Sequence, residues 1–335
     1  MKPSTAFLRS KQLLGLSSLL LLSLPLLFGP GAANAQETSA QEPAAAPAIP
    51  SPMEMLAIFS RTQLQAQGFQ RQSATVAGED LVWWEKGEGQ PLVFLHGVND
   101  QAGTWAGVIG GLVSSHRVLL LDLPGHGESG PQEGPLTMAT VLEGVEAWLA
   151  QEAPGGESEG GSAPVLVGNS MGAWVSLLVA HRQPPSVSRV VAINGGPLPP
   201  ETDGLDLLPA DRDEAKKLME ALRDPASEAI PAVILDDLVR RAPTSQAQRM
   251  TGEGSDLASY WLSAEAVATI TTPVDLLWGI SDRLMGTDYP QRLLEALPNA
   301  QLTALETCGH VPQVECPAAA LQGLTDVLTS AAPSP

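Results

Sequence analysis

Short, largely apolar runs recur along the chain, each ending at a polar or glycine-rich stretch. Pro91–Leu95, Arg117–Leu121, Pro164–Val167, Arg189–Ile193 and Val274–Trp278 are of this kind. Apolar runs without polar alternation predict strands buried on both faces of a parallel sheet. Leu81–Trp84 and Gln301–Leu305 read as further strands. Helical spacing of apolar residues marks Trp105–Val113, Met138–Gln151, Met171–His181, Tyr289–Leu297 and Ala318–Leu328. Pro52–Phe69 predicts a short helix lying against the core. This alternation predicts an α/β fold, a mostly parallel, doubly wound sheet with helices on both faces.

One stretch breaks the alternation. Between Leu198 and Thr269 no strand is convincing, and Asp211–Arg223 and Ala229–Arg241 are the clearest helical patterns. An insertion at the carboxyl edge of such a sheet would sit over the ligand crevice, so it reads as a helical cap. The alternative is a unit that packs elsewhere and thickens the domain. Gly155–Ser162 reads as a Gly/Ser/Glu loop without an assigned role.

The N-terminus has the layout of an export signal. Lys2, Arg9 and Lys11 precede the apolar run Leu13–Phe28, and Ala33-Asn34-Ala35 offers a small-x-small cleavage site before Gln36. The alternative is an uncleaved anchor, for which the run is short against the ~20 residues that span a bilayer. Residues 36–52 are rich in Ala, Pro, Gln and Glu and read as a flexible linker. The expected organisation is therefore signal peptide 1–35, linker 36–52, core 53–197, cap 198–269 and the rest of the core 270–330. Periplasmic or extracellular residence in a bacterium follows as an expectation, with no stable membrane insertion after cleavage.

Acidity changes the picture of partners. The formal charge is −19, and loss of the three leader cations, with no acid before Glu37, takes it to −22. Such a surface repels nucleic acid and anionic lipid. The alternative is acidity that serves solubility alone; neither identifies a substrate, and a small-molecule acyl substrate is expected from the candidate chemistry instead.

Gly168-Asn169-Ser170-Met171-Gly172 follows an apolar strand and opens a helix. A serine on such a sharp turn raises its hydroxyl above the sheet, and small residues two before and two after let strand and helix approach. The Met171 N–H stands at a helix start, aimed at developing negative charge. Serine needs a base to become a nucleophile. Of five histidines, His116 precedes a strand, His181 ends a helix, and His96 and His126 lie in Gly-rich loops. His310, in Cys308-Gly309-His310 after the last strand, can reach across the sheet edge. Asp282, directly after the Val274–Trp278 strand, is the expected acid that orients the imidazole. Glu201 and Asp203 are its rivals, Glu306 is too near His310 along the chain, and an ion pair with Arg283 is its structural alternative. Cys308 and Cys316 flank His310; in an oxidising compartment they could pair and brace its loop, or remain separate thiols.

Four motifs together resemble the α/β-hydrolase superfamily over most of Leu81–Leu328. They are Leu95-His96-Gly97, the Asp122–Ser129 segment with His126 inside it, the serine turn, and the Asp282/His310 pair. The resemblance implies a Ser170–His310–Asp282 triad and an oxyanion hole from the Val98 and Met171 N–H groups. It implies structural roles for His96, Gly97, Gly168, Gly172 and the Asp122–Ser129 segment, and no catalysis by His126. It implies cleavage of a carboxylic ester or related acyl bond through an acyl-enzyme, in the manner of a carboxylesterase. Carbon–carbon bond hydrolase and cofactor-free peroxidase chemistry remain alternatives on the same scaffold. A non-catalytic binding protein is the alternative of another class. No metal cluster and no nucleotide loop is seen, so no cofactor is implied.

Overall fold

The computed structural model describes residues 49–154, 162–182, 186–200 and 205–333. Residues 1–35, most of 36–52, most of Gly155–Ser162, and Glu201 and Asp203 lie outside the described residues. In chain order the elements begin with helix α1 (Pro52–Ala66) and strands β1 (Gln70–Val76), β2 (Glu79–Lys86), β3 (Gln90–Leu95) and β4 (His116–Leu121). Helix α2 (Met138–Glu152), β5 (Val165–Asn169), α3 (Met171–Arg182) and β6 (Arg189–Ile193) follow. Four helices come next, α4 (Arg212–Leu222), α5 (Ala232–Arg241), α6 (Gln246–Thr251) and α7 (Ala264–Val267). The chain closes with β7 (Val274–Gly279), α8 (Tyr289–Ala296), β8 (Ala300–Leu305), α9 (Pro312–Glu315) and α10 (Pro317–Thr329).

The eight strands form one sheet in the order β1-β2-β4-β3-β5-β6-β7-β8. β1–β2 and β2–β4 pair antiparallel, and every other pair is parallel. The mostly parallel, doubly wound sheet expected from the apolar runs is borne out. β5, β6 and β7 are buried at every position. Their side chains still alternate between two cores, as strand geometry requires. Leu166, Val190 and Leu276 join Trp148 of α2 and Leu177 of α3 on one face. Val167, Val191 and Leu277 join Leu64 of α1 and Leu324 of α10 on the other.

One local expectation is corrected, and one strand that the sequence did not signal is added. Trp105–Val113 is not an α-helix but two short 3-10 turns, Ala102–Gly107 and Leu112–Ser114. Gly103, Gly107, Gly110 and Gly111 explain it, since each glycine weakens an α-helix by about 1 kcal/mol against alanine. β1 lacks an apolar signature because it is a largely exposed edge strand. It is held by a two-residue hairpin in which Ala77 and Gly78 both take positive φ, 52° and 90°.

The stretch between β6 and β7 contains helices and, among the described residues, no strand. Several side chains fasten it to the rest. Trp261 stacks on Trp174 of α3 with ring centroids 3.6 Å apart. Both oxygens of Asp256 accept the first N–H groups of α2, from Met138 and Ala139, at 2.7 and 2.9 Å. Arg249 donates to the carbonyls of Gly125, Pro131 and Gly134.

The loop after β4 is built around Asp122. Its fully buried carboxylate accepts from Ala102 N at 2.6 Å and Glu128 N at 2.8 Å, and its carbonyl accepts from Ser129 Oγ. Ser129 Oγ in turn accepts from Val82 N of β2. Replacing Asp122→Ala leaves the buried Ala102 N–H and the part-buried Glu128 N–H without their acceptor. Hydrogen bonds to charged groups contribute about 1.5–3 kcal/mol each, so a loss of about 3 kcal/mol or more is expected in urea unfolding. A loss below about 1 kcal/mol would show that the carboxylate does not hold this loop.

Candidate active site

Ser170 sits between β5 and α3 with φ +54°, a left-handed conformation uncommon for any residue but glycine. The turn is held by the Ser170 N–H, which donates to Ile193 O of β6 at 2.9 Å. The surroundings have no room for side chains. A Cβ on Gly168 would lie 2.2 Å from Gly172 O, and one on Gly172 would lie 2.0 Å from Leu95 O of β3. One on Gly195, just past β6, would lie 2.3 Å from Ser170 O. Gly97 abuts the serine itself, since a Cβ there would be 3.2 Å from Ser170 Cβ. Ser170 is half-buried, and Met171 opens α3, where a helix's first N–H groups lack internal acceptors.

Asp282 and His310 come together, both almost fully buried. His310 Nδ1 lies 2.8 Å from Asp282 Oδ2. The same oxygen accepts from Asn194 Nδ2 at 2.9 Å, and Oδ1 accepts from the Leu284 and Met285 N–H groups at 2.9 and 3.3 Å. Burial alone would push this carboxyl up. The His310 ring, the Asn194 amide and the Leu284 N–H outweigh burial and hold it below the usual carboxylate range. The carboxylate is therefore ionised, and His310 Nδ1 carries the proton that Asp282 Oδ2 accepts.

The histidine loop is tied to the serine turn through the residue before the serine. Asn169 Nδ2 donates to His310 O at 2.9 Å, and Asn169 Oδ1 accepts from Gln313 Nε2 at 3.0 Å. The loop is closed on its other side by the Cys308–Cys316 disulfide, with Cα atoms 6.0 Å apart. Asn169, Asn194, Gly195 and Gln313 were not singled out as site residues from the sequence. The one available signal was position, because Asn194 and Gly195 stand directly after a buried strand beside the serine strand.

Val98 is half-buried and packs against the apolar cluster that includes Met171. The turn carrying it is fixed at both ends. His96 Nε2 accepts from Leu123 N at 3.0 Å, so its Nδ1 carries the proton and donates to Gly97 O at 2.7 Å. Asn99 Oδ1 accepts from Ala247 N of α6 at 2.9 Å. The other histidines have other partners, and the His126 ring lies 5.4 Å from that of His96. His126 Nδ1 donates to Pro124 O, His116 contacts Ser115 at the surface, and His181 contacts Thr269. Glu306 uses its backbone carbonyl to accept from Thr307 Oγ1. An open cleft of about 580 Å³ bounded by Leu198, Trp261 and Arg292 includes none of Ser170, Asp282 and His310. Among the described residues, no three His, Cys, Asp or Glu side chains are grouped to hold a metal ion.

A sheet of this order with a strained serine turn and a buried Asp–His pair at its carboxyl edge defines the α/β-hydrolase class. The profile of the Alpha/beta hydrolase family matches residues 92–322, and the chain belongs to that family. It is 28% identical over 255 residues to 2-hydroxy-6-oxononadienedioate/2-hydroxy-6-oxononatrienedioate hydrolase 2 of Pseudomonas putida, covering 68% of this chain and 84% of that one. Its fold is similar to that of a bacterial membrane phospholipase A, with TM-score 0.68, 24% identity and coverage of 83% and 91%. It is also similar to naproxen esterase of Bacillus subtilis, with TM-score 0.62, 16% identity and coverage of 84% and 100%.

Burial pushes the His96 imidazole from 6.5 down to about 3 and the His126 imidazole down to about 4. In the unfolded chain both take up protons near pH 6.5. The unfolded state therefore binds more protons below that value, and the stability these rings contribute is lost as pH falls through the window. For His126 the window runs from about 6.5 to about 4. The stability gap between wild type and His126→Gln, read from urea midpoints, should narrow between pH 7.5 and pH 5. An unchanged gap would mean that His126 is not held neutral by the fold.

Proposed function

We propose that this chain is an exported serine hydrolase that cleaves carboxylic esters with largely apolar acyl groups. Ser170 is the nucleophile, His310 the base and Asp282 the acid that orients it. One observation carries the reading. An ionised, buried Asp282 holds His310 Nδ1 at 2.8 Å, on a loop that Asn169 bonds to the turn presenting Ser170.

The chemistry follows from these groups. Ser170 Oγ attacks the carbonyl carbon while His310 Nε2 takes the hydroxyl proton. The Val98 and Met171 N–H groups stabilise the oxyanion, and losing one such donor typically costs about 3 kcal/mol. His310 passes its proton to the departing alkoxide oxygen. Water then attacks the acyl carbon, His310 takes its proton, and the acid leaves as Ser170 Oγ is reprotonated. The helical insertion serves as the cap, and Val98, Met171 and Met285, which belong to or pack on one apolar cluster, favour an apolar acyl chain. Export rests on the cationic, apolar N-terminus and its small-x-small site before Gln36.

The likeness to the Pseudomonas putida hydrolase favours a second reading, hydrolysis of a carbon–carbon bond in a vinylogous diketone. There the same three side chains act, and the proton from His310 goes to carbon rather than to oxygen.

A nitrophenyl ester series on purified protein, with Ser170→Ala as control, tests the first reading. Hydrolysis should rise with moderate acyl length and fall at least about 10⁴-fold in the variant. Activity that survives the substitution would remove Ser170 from the mechanism. A panel pairing these esters with a 2-hydroxy-6-oxo-dienoate separates the readings, since preference by kcat/KM for the dienoate would replace the first with the second. Failure of a fluorophosphonate to label Ser170 would point to a binding protein instead.

A further inference from the structure

Helix α1 is amphipathic in the opposite sense to an ordinary surface helix. Its inner side is mostly polar. Ser60 and Arg61 bond Gln101, Gln67 donates to Ala106 O, and Leu64 is its one fully buried residue. The first half of its outer side is apolar, and the exposed Thr62, Gln63 and Gln65 follow in the second half. Met55, Leu56, Ile58 and Phe59 are 51, 53, 51 and 60% exposed. At 100° per residue, Met55, Ile58 and Phe59 share one face, with Leu56 at its border. The patch continues onto α5. Val233, 58% exposed, lies one turn before Asp237, whose carboxylate accepts from Met53 N at 2.9 Å. Ile49, 91% exposed, extends it toward the N-terminus.

We infer that this outer face of α1, with Ile49 and Val233, is a docking surface for an uncharged lipid bilayer. The charges beside the patch are neutralised in pairs, Arg241 with Glu54, Arg240 with Asp237 and Arg61 with Glu128. An apolar ridge with a neutral border suits the headgroup–acyl boundary of a zwitterionic membrane. The formal charge of −19 opposes an anionic one, and it also opposes packing of two copies face to face. On the export reading proposed above, on which this inference rests, the chain entering α1 comes from a membrane-directed segment. The run Leu13–Phe28 follows three cations, and the stretch from it to Ile49 spans at most roughly 70 Å when extended. Export therefore delivers α1 to a bilayer first. Docking there sets lipid beside the segment after Val98, because α1 packs on Ala102–Gly107, and beside α5 of the insertion.

The test measures flotation with phosphatidylcholine vesicles of the full chain and of the chain from Gln36. The latter retains the compact unit that begins at Ile49, within which both apolar cores lie. The chain from Gln36 should float with the vesicles. Leu56→Gln/Phe59→Gln should lower its partition at least tenfold with an unchanged unfolding temperature, since both side chains are exposed. Ser170→Ala should float like wild type, which keeps this outcome separate from that of the hydrolase reading. Four results would each overturn the inference. They are no flotation of the chain from Gln36, equal flotation of the double variant, binding only to anionic phosphatidylglycerol vesicles, and a dimer in solution that the double variant dissolves. Flotation of the full chain alone would assign the contact to Leu13–Phe28 and overturn it equally.

Discussion

The site depends on a steric constraint, the approach of three parallel strand ends to one serine backbone. β3, β5 and β6 are neighbours in the sheet, so the residues just beyond them, Gly97, Ser170 and Gly195, converge. The Ser170 carbonyl and Cβ occupy the space that side chains at 195 and 97 would need. Holding a serine at φ +54° costs of order 1 kcal/mol or more, and it persists only where the surroundings over-determine it. Here the bond to Ile193 O and the close approaches of Gly168 to Gly172 and of Gly172 to Leu95, on either side of the serine, do so. The strain has a use, since the same turn lifts the hydroxyl off the sheet and starts α3 one residue later.

Next to this turn lies a chain of buried polar groups that would be costly if any member lacked a partner. Asp282 has four donors, and Asn194 spends its amide on Asp282 and Gly279 O while accepting from Gly279 N. Asn169 joins Gln313 to the His310 backbone. The two asparagines thus fix the imidazole from opposite ends, one through the carboxylate and one through the main chain. Orientation of the histidine is a property of the sheet edge as a whole and not of one contact.

How much of this was legible in the sequence divides along physical lines. β3, β5, β6 and β7 showed as continuous apolar runs because they are buried on both faces. Ser170 and Asp282 were legible because each follows such a run, and His310 because it stands in a Cys-Gly-His loop after the last strand. β1 was not, because an edge strand of sequence QRQSATV has little to bury. The partners Asn169, Asn194 and Gln313 were silent for another reason. Their bonds join segments 85 to 144 residues apart, and neither composition nor periodicity carries that information. His96 was legible as part of a motif, but its job, bridging Gly97 O to Leu123 N, required the geometry.

The helical insertion and the histidine loop are mechanically joined. His310 N donates to Leu222 O at the end of α4, and Arg283 N donates to Ala221 O. Glu315, whose side chain is only 6% exposed, accepts from Gly309 N at 2.6 Å and, through its other oxygen, from Asp224 N and Ser227 Oγ of the insertion. Gly309 has to be glycine here, since a Cβ would lie 2.2 Å from Leu222 O. Any displacement of the α4–α5 connection is therefore transmitted to the backbone of the residue that holds the imidazole. An insertion free to swing open would have to break these bonds and disturb His310 as it moved. The connection is thus part of the frame that holds the Asp282–His310 pair.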